Sequence, residues 1–171
     1  MAVLHTPMIL EAPSDAATVL NLEQTARRKG TGLTPDALVG HWRLQRTWSR
    51  RGAAASPLAT GMLRALGACL ILQNAEDGLA ITNRVSLGPI RLQFLGAAQL
   101  RGQRPLLMFS FTTMQLTVGS IQVMNKTIPP PKPTRQPFFA LIGRGDEGGW
   151  LCARGRGGGL AVWTRDTPPS R

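Results

Sequence analysis

Apolar and polar positions alternate through most of the chain. The clearest case is Gly40-His-Trp-Arg-Leu-Gln-Arg-Thr-Trp48, where Trp42, Leu44, Arg46 and Trp48 fall on one face and Arg43, Gln45 and Thr47 on the other. A period of two is the strand period, because successive side chains leave an extended backbone on opposite sides. Similar short runs follow over 69–73, 79–87, 90–100, 105–112, 114–118, 121–124, 137–142, 150–153 and 160–164. Turn residues punctuate them: Asn74 to Gly78, Gly88-Pro89, Arg101 to Arg104, and Gly119-Ser120. About eight or nine strands are expected at this spacing.

Helical signals are confined to the first 66 residues. Ser14 or Asp15 is an N-cap for a helix running to about Arg28, with Val19, Leu20 and Leu22 as its apolar positions and Gly30 and Gly32 as its stop. Thr34-Pro35-Asp36-Ala37-Leu38 reads as a short helical turn with proline at its first position. Small residues at 52–56 connect to a short helix expected over 57–66, and Pro129 to Pro133 form an extended connector. The division is an irregular leader (1–13), one domain (14–165) and a frayed tail (166–171). Short connections fit a mainly β, antiparallel up-and-down barrel preceded by one or two short helices. At about eight strands its interior is either packed or holds one small ligand.

Charge changes the picture less than its size suggests. The 171 residues carry 20 Lys+Arg, 9 Asp+Glu and a net charge of +11. Only Lys29, Lys126 and Lys132 are lysines; the rest are arginines, clustered at Arg27-Arg28-Lys29, Arg50-Arg51 and Arg154-Gly-Arg156 and otherwise scattered singly. A nucleic-acid footprint calls for a contiguous patch with base-stacking aromatics, whereas this chain has no tyrosine and 5% aromatics. Nucleic acid is therefore not the favoured partner; an anionic membrane surface is a possible one. No run reaches the roughly 18–20 apolar residues of a membrane span, and 1–10 lacks the basic start of a secretory signal.

The inventory for catalysis is thin. His5 and His41 are the only histidines, and neighbouring acids such as Glu76-Asp77 and Asp146-Glu147 fall in turns. No nucleophile elbow, phosphate loop or metalloprotease motif occurs. Cys69 and Cys152 have no metal-ligand spacing, and Cys152 has no histidine partner. The expectation is a non-enzyme with no cofactor and no metal.

Gly40-x-Trp42, directly after the short helical turn, resembles the first-strand signature of the lipocalin superfamily. The C-terminal segment, Pro137-Phe-Phe-Ala-Leu-Ile142 followed by Gly149-Trp150 through Arg154-Gly155, Gly158 and Leu160-Ala-Val162, resembles the end of the plastid lipid-associated protein (fibrillin) family. Arg156 stands where that family commonly has aspartate. The resemblance covers about 15–165 and suits a cyanobacterial-type member. It implies a lipocalin-like barrel that binds or shields a prenylquinone, carotenoid or other lipid. The expected place is the cytoplasm or the periphery of thylakoid membranes, or the plastid in a eukaryote.

In such barrels the tryptophan plugs the closed end and stacks under an arginine of the last strands, which assigns Gly40, Trp42 and Arg154 to the plug. The alternating faces supply the candidate ligand lining: Trp48, Ile90, Leu92, Phe94, Phe109, Phe111, Met114, Leu116 and Val118. An alternative comes from Trp42-Arg-Leu-Gln-Arg-Thr47, which also resembles the first strand of the bilin lyases of the calycin group. That reading implies Arg84 or Arg91 as partners of tetrapyrrole propionates. A basic RNA-binding or peripheral membrane protein is the remaining alternative.

Overall fold

A computed structural model describes residues 11–50, 68–145, 147 and 149–166. The leader up to residue 10, the small-residue connection and helix expected over 52–66, Arg51, and the tail from 167 lie outside the described residues.

Helix α1 (Ala16–Lys29) begins at Asp15, whose side chain accepts the Thr18 amide proton at 2.8 Å. It ends on Arg27, Arg28 and Lys29, cations suited to the negative end of the helix dipole, with Gly30 as C-cap. Fourteen residues are too few for a stable isolated helix, so α1 depends on what it packs against. Helix α2 (Pro35–Leu38) is one turn with proline at its start, and it leads directly into β1.

Among the described residues nine antiparallel strands follow: β1 (Gly40–Trp48), β2 (Cys69–Ala75), β3 (Gly78–Leu87), β4 (Ile90–Arg101), β5 (Leu106–Val118), β6 (Ile121–Thr127), β7 (Phe138–Arg144), β8 (Trp150–Gly155) and β9 (Leu160–Arg165). The protein is mainly β. Pairing runs from β1 through β5, passes to β7, β8 and β9, and returns to β1, so eight strands close a ring. Strand β6 stands outside the ring and, among the described residues, pairs with the far half of β5 alone.

The runs at 105–112 and 114–118 are one strand. The register of β5 against β4 slips between Leu95 and Gly96, leaving Thr112 as an extra residue. This bulge restarts the alternation, which is why the sequence reads as two strands. Gly96 faces the bulge, and a Cβ on it would overlap the Ser110 carbonyl oxygen. Residues 106–108 hold β7, whereas residues 113–118 hold β6. The β3–β6 sheet therefore extends past the ring.

A second bulge changes the face of β1. Its register against β9 slips at Gln45. Trp42 and Leu44 belong to the barrel core, but beyond the bulge Thr47 lines the interior. Trp48 instead joins Val19, Ile142, Trp150, Cys152, Leu160 and Val162 in a second apolar cluster, against which Ala16, Leu20 and Leu22 of α1 pack. Trp48 thus anchors the helix outside the barrel and is not part of the lining. A strict alternation cannot show this, because one inserted residue inverts every later side chain.

Gly96→Ala should lower unfolding free energy by about 3 kcal/mol or more, since backbone must move to admit the methyl group. Urea denaturation checks this; a change below about 1 kcal/mol would contradict the bulge geometry.

Candidate ligand-binding site

The barrel interior is closed at one end by Trp42, which is fully buried. Its indole nitrogen donates to the Leu38 carbonyl at 2.8 Å, tying α2 across the barrel end. The guanidinium of Arg165 lies 4.9 Å from the ring centroid and also donates to the Val39 carbonyl at 3.0 Å. The cation over the plug is therefore Arg165 of β9, not Arg154. Gly40 adopts φ +149°, and a Cβ there would meet the Arg165 guanidinium at 3.3 Å. What approaches this glycine closely is the arginine.

Toward the other end the core gives way to a cavity of about 300 Å³. Leu44, Thr47, Ile81, Val85, Phe109, Phe111, Ala161 and Trp163 are among its lining residues, together with Asn83 and Phe139. The aromatic rings make a continuous series, from Phe94 to Phe111 at 5.8 Å between centroids, then to Phe109 at 5.4 Å, Phe139 at 5.0 Å and Trp163 at 5.5 Å.

Of the expected lining, Phe109 and Phe111 border the cavity. The others are placed by register. Directly opposed residues of an antiparallel pair share a face, and the opposed pairs are Ile90 with Val118, Leu92 with Leu116, Phe94 with Met114, Gly96 with Phe111, and Ala98 with Phe109. Eight of the nine expected residues thus form one apolar ladder along β4 and β5. It starts at the cavity with Phe109 and Phe111. It continues through the half-buried Phe94, Met114, Leu92 and Leu116 and ends in solvent at Ile90 and Val118. Ile90 and Val118 are exposed and lie outside the cavity.

The ladder ends among further exposed apolar side chains. Leu87, Ile90, Val118, Ile121 and Val123, at the β3–β4 and β5–β6 turns, are 40–67% exposed. The reverse face of this sheet is polar, carrying Ser86, Arg91, Gln93, Gln115 and Thr117. Arg84 lies on that reverse face as well, so neither Arg84 nor Arg91 points along the ladder.

Arg154 has a different role. It donates to both oxygens of Glu23, at 2.8 and 2.6 Å, and to the Gly158 carbonyl at 2.5 Å. Glu23 is buried, only 4% of its side chain being exposed, and also receives Arg27 at 3.0 Å and Arg104 at 3.4 Å. The Arg154 hydrogen bonds, against the opposing effect of burial and with help from Arg27, hold its carboxyl below the usual 4.5. This pair clamps α1 to the barrel wall. Glu23 was not singled out by motif, although Val19, Glu23 and Ala26 share the helix face that is buried. An acid inside an apolar helical stripe is the signal that would have found it.

The remaining chemistry is muted. Burial pushes the Cys152 thiol up to about 12 and raises that of Cys69, so both are thiols at neutral pH. Among the described residues, no group of three or more His, Cys, Asp or Glu is placed to hold a metal ion. No helix there is long and apolar enough to cross a membrane. No protein-family model matches the chain, and no curated protein matches it.

Glu23→Gln should destabilise the fold by about 3 kcal/mol, a buried ion pair having lost one partner. Because folding lowers the Glu23 pKa, its contribution is complete above 4.5 and is lost as the pH falls through the lower folded value. Chemical denaturation of wild type and variant across pH 7 to roughly pH 2 should show the gap closing at the acid end. A gap independent of pH would contradict the assignment. Cys152 should also resist alkylation by iodoacetamide in the native state and react once the protein is unfolded.

Proposed function

We propose that the protein binds or shields a small hydrophobic molecule of the prenylquinone, carotenoid or lipid class, without catalysis, at a membrane surface. The observation that carries this reading is the unbroken apolar ladder from the exposed hairpin tips to the barrel cavity. A packed structural core needs no such track. The ladder and the aromatic series give a lipophilic molecule continuous low-polarity contact between the two ends, with few polar groups to desolvate.

Charge supports the membrane. From residue 78 to residue 145 the chain contains no Asp or Glu, against Arg84, Arg91, Arg101, Arg104, Arg135, Arg144, Lys126 and Lys132. Apolar tips on a sheet carrying only positive charge suit an anionic bilayer, each cation near such a surface adding about 1 kcal/mol. Tip-first docking directs the ladder from lipid toward the cavity. The resemblance to the plastid lipid-associated protein family fits this reading and extends it to thylakoid-type membranes. The bilin-lyase alternative is less well supported, because Arg84 and Arg91 lie across the sheet from the ladder.

Decylubiquinone, a neutral quinone that quenches indole fluorescence, tests the cavity through Trp163. Saturable quenching at one quinone per chain is expected, and it should weaken by about tenfold or more in Ala161→Phe or Val85→Asp. Linear, unsaturable quenching that the variants leave unchanged would overturn the reading. Wild type should also float with phosphatidylglycerol-containing vesicles at low salt. Ile90→Asp combined with Ile121→Asp should abolish flotation while quenching by soluble quinone persists.

A further inference from the structure

A second concavity lies outside the barrel wall, and the hydrophobic-ligand reading does not use it. It has a volume of about 490 Å³ and is bordered by Arg27 of α1, Arg50 just after β1, Arg104 before β5, Arg154 of β8 and Arg156 in the β8–β9 turn. Its floor is apolar, formed by Leu106, Phe138 and Ala140. Four segments far apart in sequence thus bring five arginines to one groove.

Among the described residues, one acid is placed among them. Glu23 takes both hydrogen bonds of the Arg154 fork and one contact each from Arg27 and Arg104. One carboxylate cannot neutralise five cations, and a guanidinium has five N–H donors, so Arg27 and Arg104 keep most of theirs. Both are partly open to solvent, 53% and 40% exposed as side chains. Arg156 is fixed in place by the Gln136 and Thr134 carbonyls, and Arg154 by Glu23 and Gly158.

The clamp on α1 uses Glu23, Arg154 and, through the Arg154 hydrogen bond to its carbonyl at 3.3 Å, the Arg50 backbone, and Arg156 is tied to the 134–136 connector; the clamp does not use the Arg50 side chain. Converging like charges repel, and an anion entering the groove relieves that repulsion. Planar guanidinium forks match the paired oxygens of phosphate better than they match a point charge.

We propose that this groove is a binding site for a phosphate-bearing ligand, its phosphate held by Arg27, Arg50 and Arg104 and its attached group lying on Leu106, Phe138 and Ala140. The site is independent of the barrel cavity, so it stands or falls separately from hydrophobic-ligand binding.

Isothermal titration at low salt, with two probes, provides the test. One is inorganic pyrophosphate, representing soluble phosphates; the other is dihexanoyl phosphatidic acid kept monomeric, representing a lipid headgroup. Saturable binding of either supports the site, and the stronger probe identifies the source. Arg50→Ser with Arg104→Ser should weaken that binding by about tenfold or more, and raised salt should weaken it progressively. Arg91→Ser, on the reverse face of the hairpin sheet, should leave it unchanged. The double variant retains Glu23 and Arg154, and an unaltered thermal transition confirms that it is folded. No saturable binding of either probe, or equal losses in Arg91→Ser and the double variant, would overturn the proposal.

Discussion

Ring closure rests on a short stretch of β5. Leu106, Leu107 and Met108 pair with Ala140, Phe139 and Phe138 of β7 while the same strand continues its pairing with β4. Beyond Phe111 the strand leaves the ring and takes β6 as its partner. One 13-residue strand therefore serves two structures, a closed barrel and a projecting sheet. The Thr112 bulge keeps one face continuous across the change, because Met114, Leu116 and Val118 resume the face of Phe109 and Phe111. If Thr112 took a regular place in the ladder instead of bulging, Met114, Leu116 and Val118 would turn to the other side, and barrel and extension would share no apolar surface.

The outside of the barrel is organised by a different force. Helix α1 is held by an apolar contact, Val19 with the Trp48 and Trp150 cluster, and by the buried Glu23–Arg154 pair. Burying a charge is costly unless its hydrogen bonds are made, and Glu23 makes four. The same demand for compensation draws the Arg27 and Arg104 side chains toward Glu23 and builds the arginine groove beside the helix. The charge of +11 thus has two visible consequences: an acid-free projecting sheet and a cluster of cations at the helix seam.

Much of the fold was legible in the sequence. The caps at Asp15 and Thr34 and the turns at Gly88-Pro89 and Gly119-Ser120 are local signals, and the structure places its elements between them. The alternation over 90–100 and 114–118 was also sufficient to collect a shared apolar face. Trp48 was misplaced because a bulge at Gln45 is invisible to a period-two pattern. The family resemblance assigns Arg154 to the plug, whereas the guanidinium over Trp42 is that of Arg165, which only the β1–β9 register brings there. Thr47, Ala161 and Trp163 entered the cavity lining through the β1–β9 pairing, a contact over more than a hundred residues that no local pattern encodes.

A hydrophobic molecule that occupies the barrel by way of the β4–β5 ladder, as proposed, should stay with the protein through purification. The most direct measurement is mass spectrometry of organic extracts from protein purified out of a host making prenylquinones and carotenoids. One such molecule is expected at near-stoichiometric amount in wild type, and it should be lost in Phe111→Arg with the β spectrum retained by circular dichroism. Wild-type protein that emerges empty, or Phe111→Arg that carries the same molecule in the same amount, would contradict the proposal.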